Sequence, residues 1–131
     1  MLKLIVTLPA LLFLSLCRGD ETVVRYGAAD KTWVLQELNG AAFTANATLI
    51  FPEPGRIAGN GPCNSFSGAM TVPYPWFEAV DIAATKRACP DLTDEGRFFT
   101  ALAEATFSEV LDDTLILSDQ DGLEMVFKAG D

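Results

Sequence analysis

Turn residues interrupt the chain between Lys31 and Phe127 so often that no strand there can run much beyond about seven residues. Asn39-Gly40 ends the apolar run Thr32 to Leu38, and Pro52-Glu53-Pro54-Gly55 ends Ala47 to Phe51. Arg56 to Ala58 and Phe66 to Val72 read as further strands, and Glu78 to Ala83 as another after Pro73-Tyr74-Pro75-Trp76. Later, Asp112-Asp113 and Asp119-Gln120-Asp121-Gly122 separate Ser108 to Leu111, Thr114 to Leu117 and Leu123 to Phe127. Leu123, Met125 and Phe127 alternate with Glu124, Val126 and Lys128, the period of a strand with one buried face. Three strands joined by two tight turns form an antiparallel meander.

One segment breaks this rhythm. Phe98, Ala101, Leu102 and Ala105 recur at helical spacing behind Asp91-Leu92-Thr93-Asp94-Glu95, which supplies capping side chains and first-turn carboxylates. A helix is predicted from about Thr93 to Ala105, with Gly96 costing it roughly 1 kcal/mol relative to Ala. About eight short strands leave no room for parallel crossovers. The expected fold is mostly β (α+β): a curled antiparallel sheet or small barrel of these strands, with one helix covering an open side.

The first seventeen residues read as an export signal. Lys3 precedes an uncharged apolar run, Leu4 to Leu16. As a helix it would span about 20 Å, short of the roughly 30 Å bilayer core, and it has almost no polar face. Leu14-Ser15-Leu16-Cys17 resembles a lipobox, with Cys17 the lipidation candidate; cleavage after Gly19 is the other route. Residues 18–30 read as a polar tether and 31–129 as the domain. Export implies the periplasm, the outer membrane or the exterior.

Without Lys3 the chain has eight basic and eighteen acidic side chains, so a mature form is strongly acidic. Nucleic acid is excluded as a partner for want of clustered Lys and Arg. Anionic membranes are approachable only through a lipid on Cys17. The chain contains no histidine, which removes Ser-His-Asp and Cys-His catalysis and imidazole zinc sites. The acidic residues fall at turns, the helix start or outward strand positions, so no paired carboxylates for acid–base work are expected. Asp112-Asp113 and Asp119-x-Asp121-Gly122 lack the remaining ligands of a calcium loop and read as turn chemistry. No catalytic residue, metal or cofactor is assigned, and a monomeric non-enzyme is expected.

With Cys17 acylated or removed, Cys63 and Cys89 remain, 26 positions apart. An exported chain with an even cysteine count favours a disulfide. Closing that loop would contribute roughly 3–4 kcal/mol. The other reading is a reactive thiol at Cys89, activated by Lys86 and Arg87. Around Cys63, Gly61, Asn64 and Gly68 read as the residues of a sharp turn, with Asn64 able to bond its own main chain. Tyr74, Trp76 and Phe77 on a proline-stiffened loop form the densest aromatic cluster, a partner-binding patch if exposed or a barrel cap if folded back.

A longer pattern joins these features. Trp33-Val34-Leu35-Gln36-Glu37-Leu38-Asn39-Gly40 is followed by Gly59-Asn60-Gly61-Pro62-Cys63-Asn64 with Phe66-Ser67-Gly68. Then come Ala84-Thr85-Lys86-Arg87-Ala88-Cys89-Pro90, Phe98-Phe99 with Ala101-Leu102, Leu115-Ile116-Leu117 and Asp121-Gly122-Leu123-Glu124-Met125-Val126-Phe127. In order and spacing this resembles the META domain of HslJ-type heat-shock lipoproteins, over roughly residues 30–129. Pro62, where the family usually has glycine, and Met70, where an aromatic is common, depart from it. The resemblance implies a small β-rich domain, a lipocalin-like half-barrel packed on a helix, and life in the cell envelope, often as a lipoprotein. It implies a role in stress or antibiotic tolerance and brings no catalytic residue. The expected function is a non-enzymatic envelope module binding a protein partner or apolar ligand. The alternative is a pilot-type lipoprotein or assembly chaperone for an envelope secretion complex.

Overall fold

A computed structural model describes residues 20–130; the export segment and Cys17 lie outside the described residues. The turn-bounded segments become β1 (Thr32–Leu38), β2 (Ala41–Ala42), β3 (Thr48–Ile50), β4 (Gly55–Asn60), β5 (Ser65–Met70) and β6 (Val80–Ala84). Helix α1 (Leu92–Glu104) follows, then β7 (Phe107–Leu111), β8 (Thr114–Ser118) and β9 (Glu124–Gly130). The strands form one antiparallel nine-stranded sheet, ordered β6-β5-β4-β3-β1-β9-β8-β7, with β2 beside β1. This is the expected mostly β architecture, with an open sheet.

The alternation read from the sequence sets the register. Leu115 faces Phe127 and Leu117 faces Met125 across β8 and β9, and all four are buried. Trp33, fully buried, pairs with Leu49 on one side and Ala129 on the other, so β1 joins the two halves of the sheet. Along α1, Phe98, Ala101 and Leu102 turn inward onto this core. Asp91 stands at the N-cap but makes no side-chain cap bond, contrary to the capping expected of it.

The tether reading of residues 18–30 is corrected from Asp20 onward. Val23 and Ala28 are fully buried and Val24 nearly so, at a wide turn over Val24–Ala28 in which Tyr26 and Gly27 leave the helical backbone. The Trp33 indole Nε1 donates to Ala28 O at 3.0 Å. The polar neighbours Asp20, Thr22 and Arg25 hide this apolar triplet in the sequence: the Asp20 carboxylate caps Thr22, accepting from its N at 2.9 Å and its Oγ1 at 2.6 Å.

The end strands β6 and β7 are not paired with each other. At one end of the gap the chain leading into β6 crosses to β7. Phe77 N donates to Thr106 O at 2.8 Å and Ser108 N to Pro75 O at 2.7 Å, around a bridge between Trp76 and Phe107.

Candidate functional site

Two places gather the residues singled out above: the cysteine turn and the aromatic loop. Cys63 and Cys89 are disulfide-bonded, with Cα atoms 5.6 Å apart. The staple therefore replaces the reactive-thiol reading, since neither sulfur carries a free thiol. A disulfide fits an oxidising, exported environment.

The turn itself is organised by a residue that sequence reasoning placed outside, on the helix start. Glu95, in the first turn of α1, is only 4% exposed. Its Oε2 accepts the backbone N–H of Cys63 at 2.8 Å and of Asn64 at 2.7 Å. Its Oε1 accepts the Asn64 side-chain amide at 2.6 Å. Three donors converge on one carboxylate, which is how a buried charge is made tolerable. Asn64 Nδ2 also donates to Arg87 O at 2.9 Å, while its Oδ1 accepts from Arg87 N at 2.6 Å and Thr85 Oγ1 at 2.9 Å. Asn64 thus uses both ends of its amide to tie three segments together.

The glycines of this turn serve close approach. Neither Gly61, Gly68 nor Asn64 has positive φ. A Cβ on Gly61 would lie 2.7 Å from Glu95 Oε2, and one on Gly68 would collide with Ile82 Cδ1 and the Val80 carbonyl. The Glu95 signal was present in the spacing: residues 95, 98 and 102 share one helical stripe, and the first of them is charged.

The aromatic loop divides. Phe77 is 2% exposed and belongs to the core, which corrects its placement in a binding patch. Tyr74 is half-buried and stacks on Tyr26 with centroids 4.6 Å apart, its hydroxyl accepting from Val110 N at 3.2 Å. Trp76 is 51% exposed and leans on Phe107 at 4.9 Å. Beside it opens a cavity of about 460 Å³ bounded by Glu104, Asp119, Gln120 and Asp121. Asp119 Oδ1 is occupied by Asp121 N at 2.8 Å and Leu123 N at 2.9 Å, the turn role read from the sequence.

A model of the META domain matches residues 27–131. The chain belongs to the META-domain family. Its matched region begins inside the segment that packs beneath Trp33, so the META domain here takes in residues first read as tether. The META fold is similar to an NMR structure of a protein from Burkholderia xenovorans, at 20% identity and TM-score 0.67, covering 82% of this chain and 87% of that one. It is similar also to a DUF4847-family protein from Bacteroides vulgatus ATCC 8482, at 15% identity and TM-score 0.61, covering 81% and 96%. At these identities the likeness is one of fold. No curated protein matches the chain.

Proposed function

We propose that this META domain is a non-enzymatic, monomeric module of the cell envelope that engages a protein partner through the face around Trp76. The observation that carries the proposal is the half-exposed indole, held in one orientation by Phe107 and by the backbone bonds of Pro75 and Phe77. A large aromatic side chain fixed on a braced loop binds with little ordering cost. Glu104, Asp119 and Asp121 around the adjacent cavity favour a partner with basic and apolar side chains.

Carboxylate chemistry is disfavoured at the cysteine turn, because the Glu95 oxygens are taken by three N–H donors. The envelope location, with lipid on Cys17 or release after cleavage, and a role in stress or antibiotic tolerance complete the proposal.

The test places a photo-crosslinking phenylalanine analogue at position 76, and separately at exposed Arg56, in the full chain produced in its own host. A discrete adduct at 76 that is absent at 56 supports the reading. No adduct at 76, or the same adducts at both positions, contradicts it.

A further inference from the structure

Beyond the Trp76 face, a second surface lies between β6 and α1. Ile82 and Ala84 of β6 meet Phe99, Leu102 and Ala103 of α1 around a cavity of about 290 Å³ with no charged residue on its walls. Ile82, Ala84 and Phe99 also line a wider adjoining cavity of about 520 Å³, whose walls include Lys86, Arg87 and the half-exposed Leu92. Lys86 and Arg87 are adjacent, exposed and without an ion-pair partner among the described residues. The carboxylate among the wider cavity's lining residues, Glu95, is buried and faces the cysteine turn. In a chain with twice as many acidic as basic side chains, this pair is a local exception.

We infer that this trough binds a fatty-acid anion, the alkyl chain along Ile82, Ala84, Phe99, Leu102 and Ala103 and the carboxylate at Lys86 and Arg87. The inference rests on reading the protein as a binding module, but uses a site separate from Trp76. An apolar cleft with a few polar groups at one end is the common form of a small-ligand site, and Arg and Lys supply charge-assisted bonds to a carboxylate.

Two other occupants fit less well. A peptide added as a strand needs a continuous edge. The β5–β6 register slips between Ser67 and Ala69, and Asp81 has φ of 55°, which leaves only Ile82–Ala84 regular. A second copy packed symmetrically on this trough would set its own Lys86 and Arg87 against this pair, at a cost in like-charge repulsion.

The experiment titrates the intact, disulfide-bonded protein, ¹⁵N-labelled, with dodecanoate below its micelle concentration, and with dodecyltrimethylammonium as the cationic control. Expected are saturable amide shifts confined to residues 82–87 and 92–103. Dodecanoate binding should fall at least tenfold in Ala103→Phe, which fills the trough, and in Lys86→Glu/Arg87→Glu, with unchanged shifts elsewhere showing an intact fold. Absence of saturable shifts, equal binding of the cation, or unaffected variants would overturn the inference. So would shifts that follow protein concentration alone, the mark of a second copy. The position-76 crosslink is independent of all these readouts, so either proposal can fail alone.

Discussion

Asn64 gives the Glu95 carboxylate two hydrogen bonds, one from its backbone N–H at 2.7 Å and one from its side-chain amide at 2.6 Å. The loop between β4 and β5 is thereby fixed to the first turn of α1, alongside the covalent link from Cys63 to Cys89. The helix that borders both proposed surfaces is held by this double attachment.

Glu95→Ala removes the acceptor from three donors at once, leaving Cys63 N, Asn64 N and Asn64 Nδ2 to find others. The expected loss is about 3 kcal/mol or more, since each abandoned buried donor costs about 1–3 kcal/mol. Thermal unfolding of the oxidised protein should show a fall of more than about 10 °C. A shift of only a degree or two would mean the carboxylate is dispensable.

Substitution of the glycines should separate crowding from helix propensity. Gly61→Ala drives a methyl onto the Glu95 carboxylate and is expected to destabilise by about 1–3 kcal/mol. Gly96→Ala, on α1 with nothing within 4 Å of the added carbon, is expected to stabilise by about 0.5–1 kcal/mol. Denaturant midpoints of the two variants should move in opposite directions, and movement in the same direction would refute this reading of Gly61.

Much of this arrangement was legible beforehand. The meander β7–β8–β9 follows from its two turn signals and the alternation in Leu123 to Lys128, β1 from the apolar run that stops at Asn39-Gly40, and α1 from its apolar stripe, displaced by one residue from the expected Thr93 to Ala105. Strand β2 has only two residues, too few to show any period. Val23, Val24 and Ala28 were hidden because an apolar triplet among charged neighbours carries no periodic signature, and its burial depends on Trp33 above it. Glu95 was misplaced for a related reason: a carboxylate in a first helical turn reads as facing water and the helix dipole. Only the distant N–H groups of Cys63 and Asn64 give it an interior partner.

The aromatic loop provides a sharper contrast. Phe77→Ala empties a buried site and should cost about 3–5 kcal/mol. Trp76→Ala removes a half-exposed ring and should cost about 1 kcal/mol or less, while abolishing the position-specific partner contact. Chemical denaturation of both variants checks the first part. Equal losses would place Trp76 in the core as well.

The disulfide should be worth roughly 3–4 kcal/mol, so Cys63→Ser/Cys89→Ser lowers the unfolding temperature without changing the sheet. Intact mass of the protein from its own host should rise by about 2 Da on reduction, and the same spectrum reads the N-terminus directly. An acylated Cys17 indicates an anchored protein, and a start at Asp20 a released one.

The most direct test of a ready-made frame is amide hydrogen exchange at Cys63 and Asn64 after the disulfide has been reduced. If the Glu95 carboxylate holds the turn on α1, both amides stay protected well beyond those of the loop at Pro52-Glu53-Pro54-Gly55. If both exchange as freely as that loop while β8 and β9 remain protected, the turn depends on the sulfur bridge alone and the Glu95 clamp is refuted.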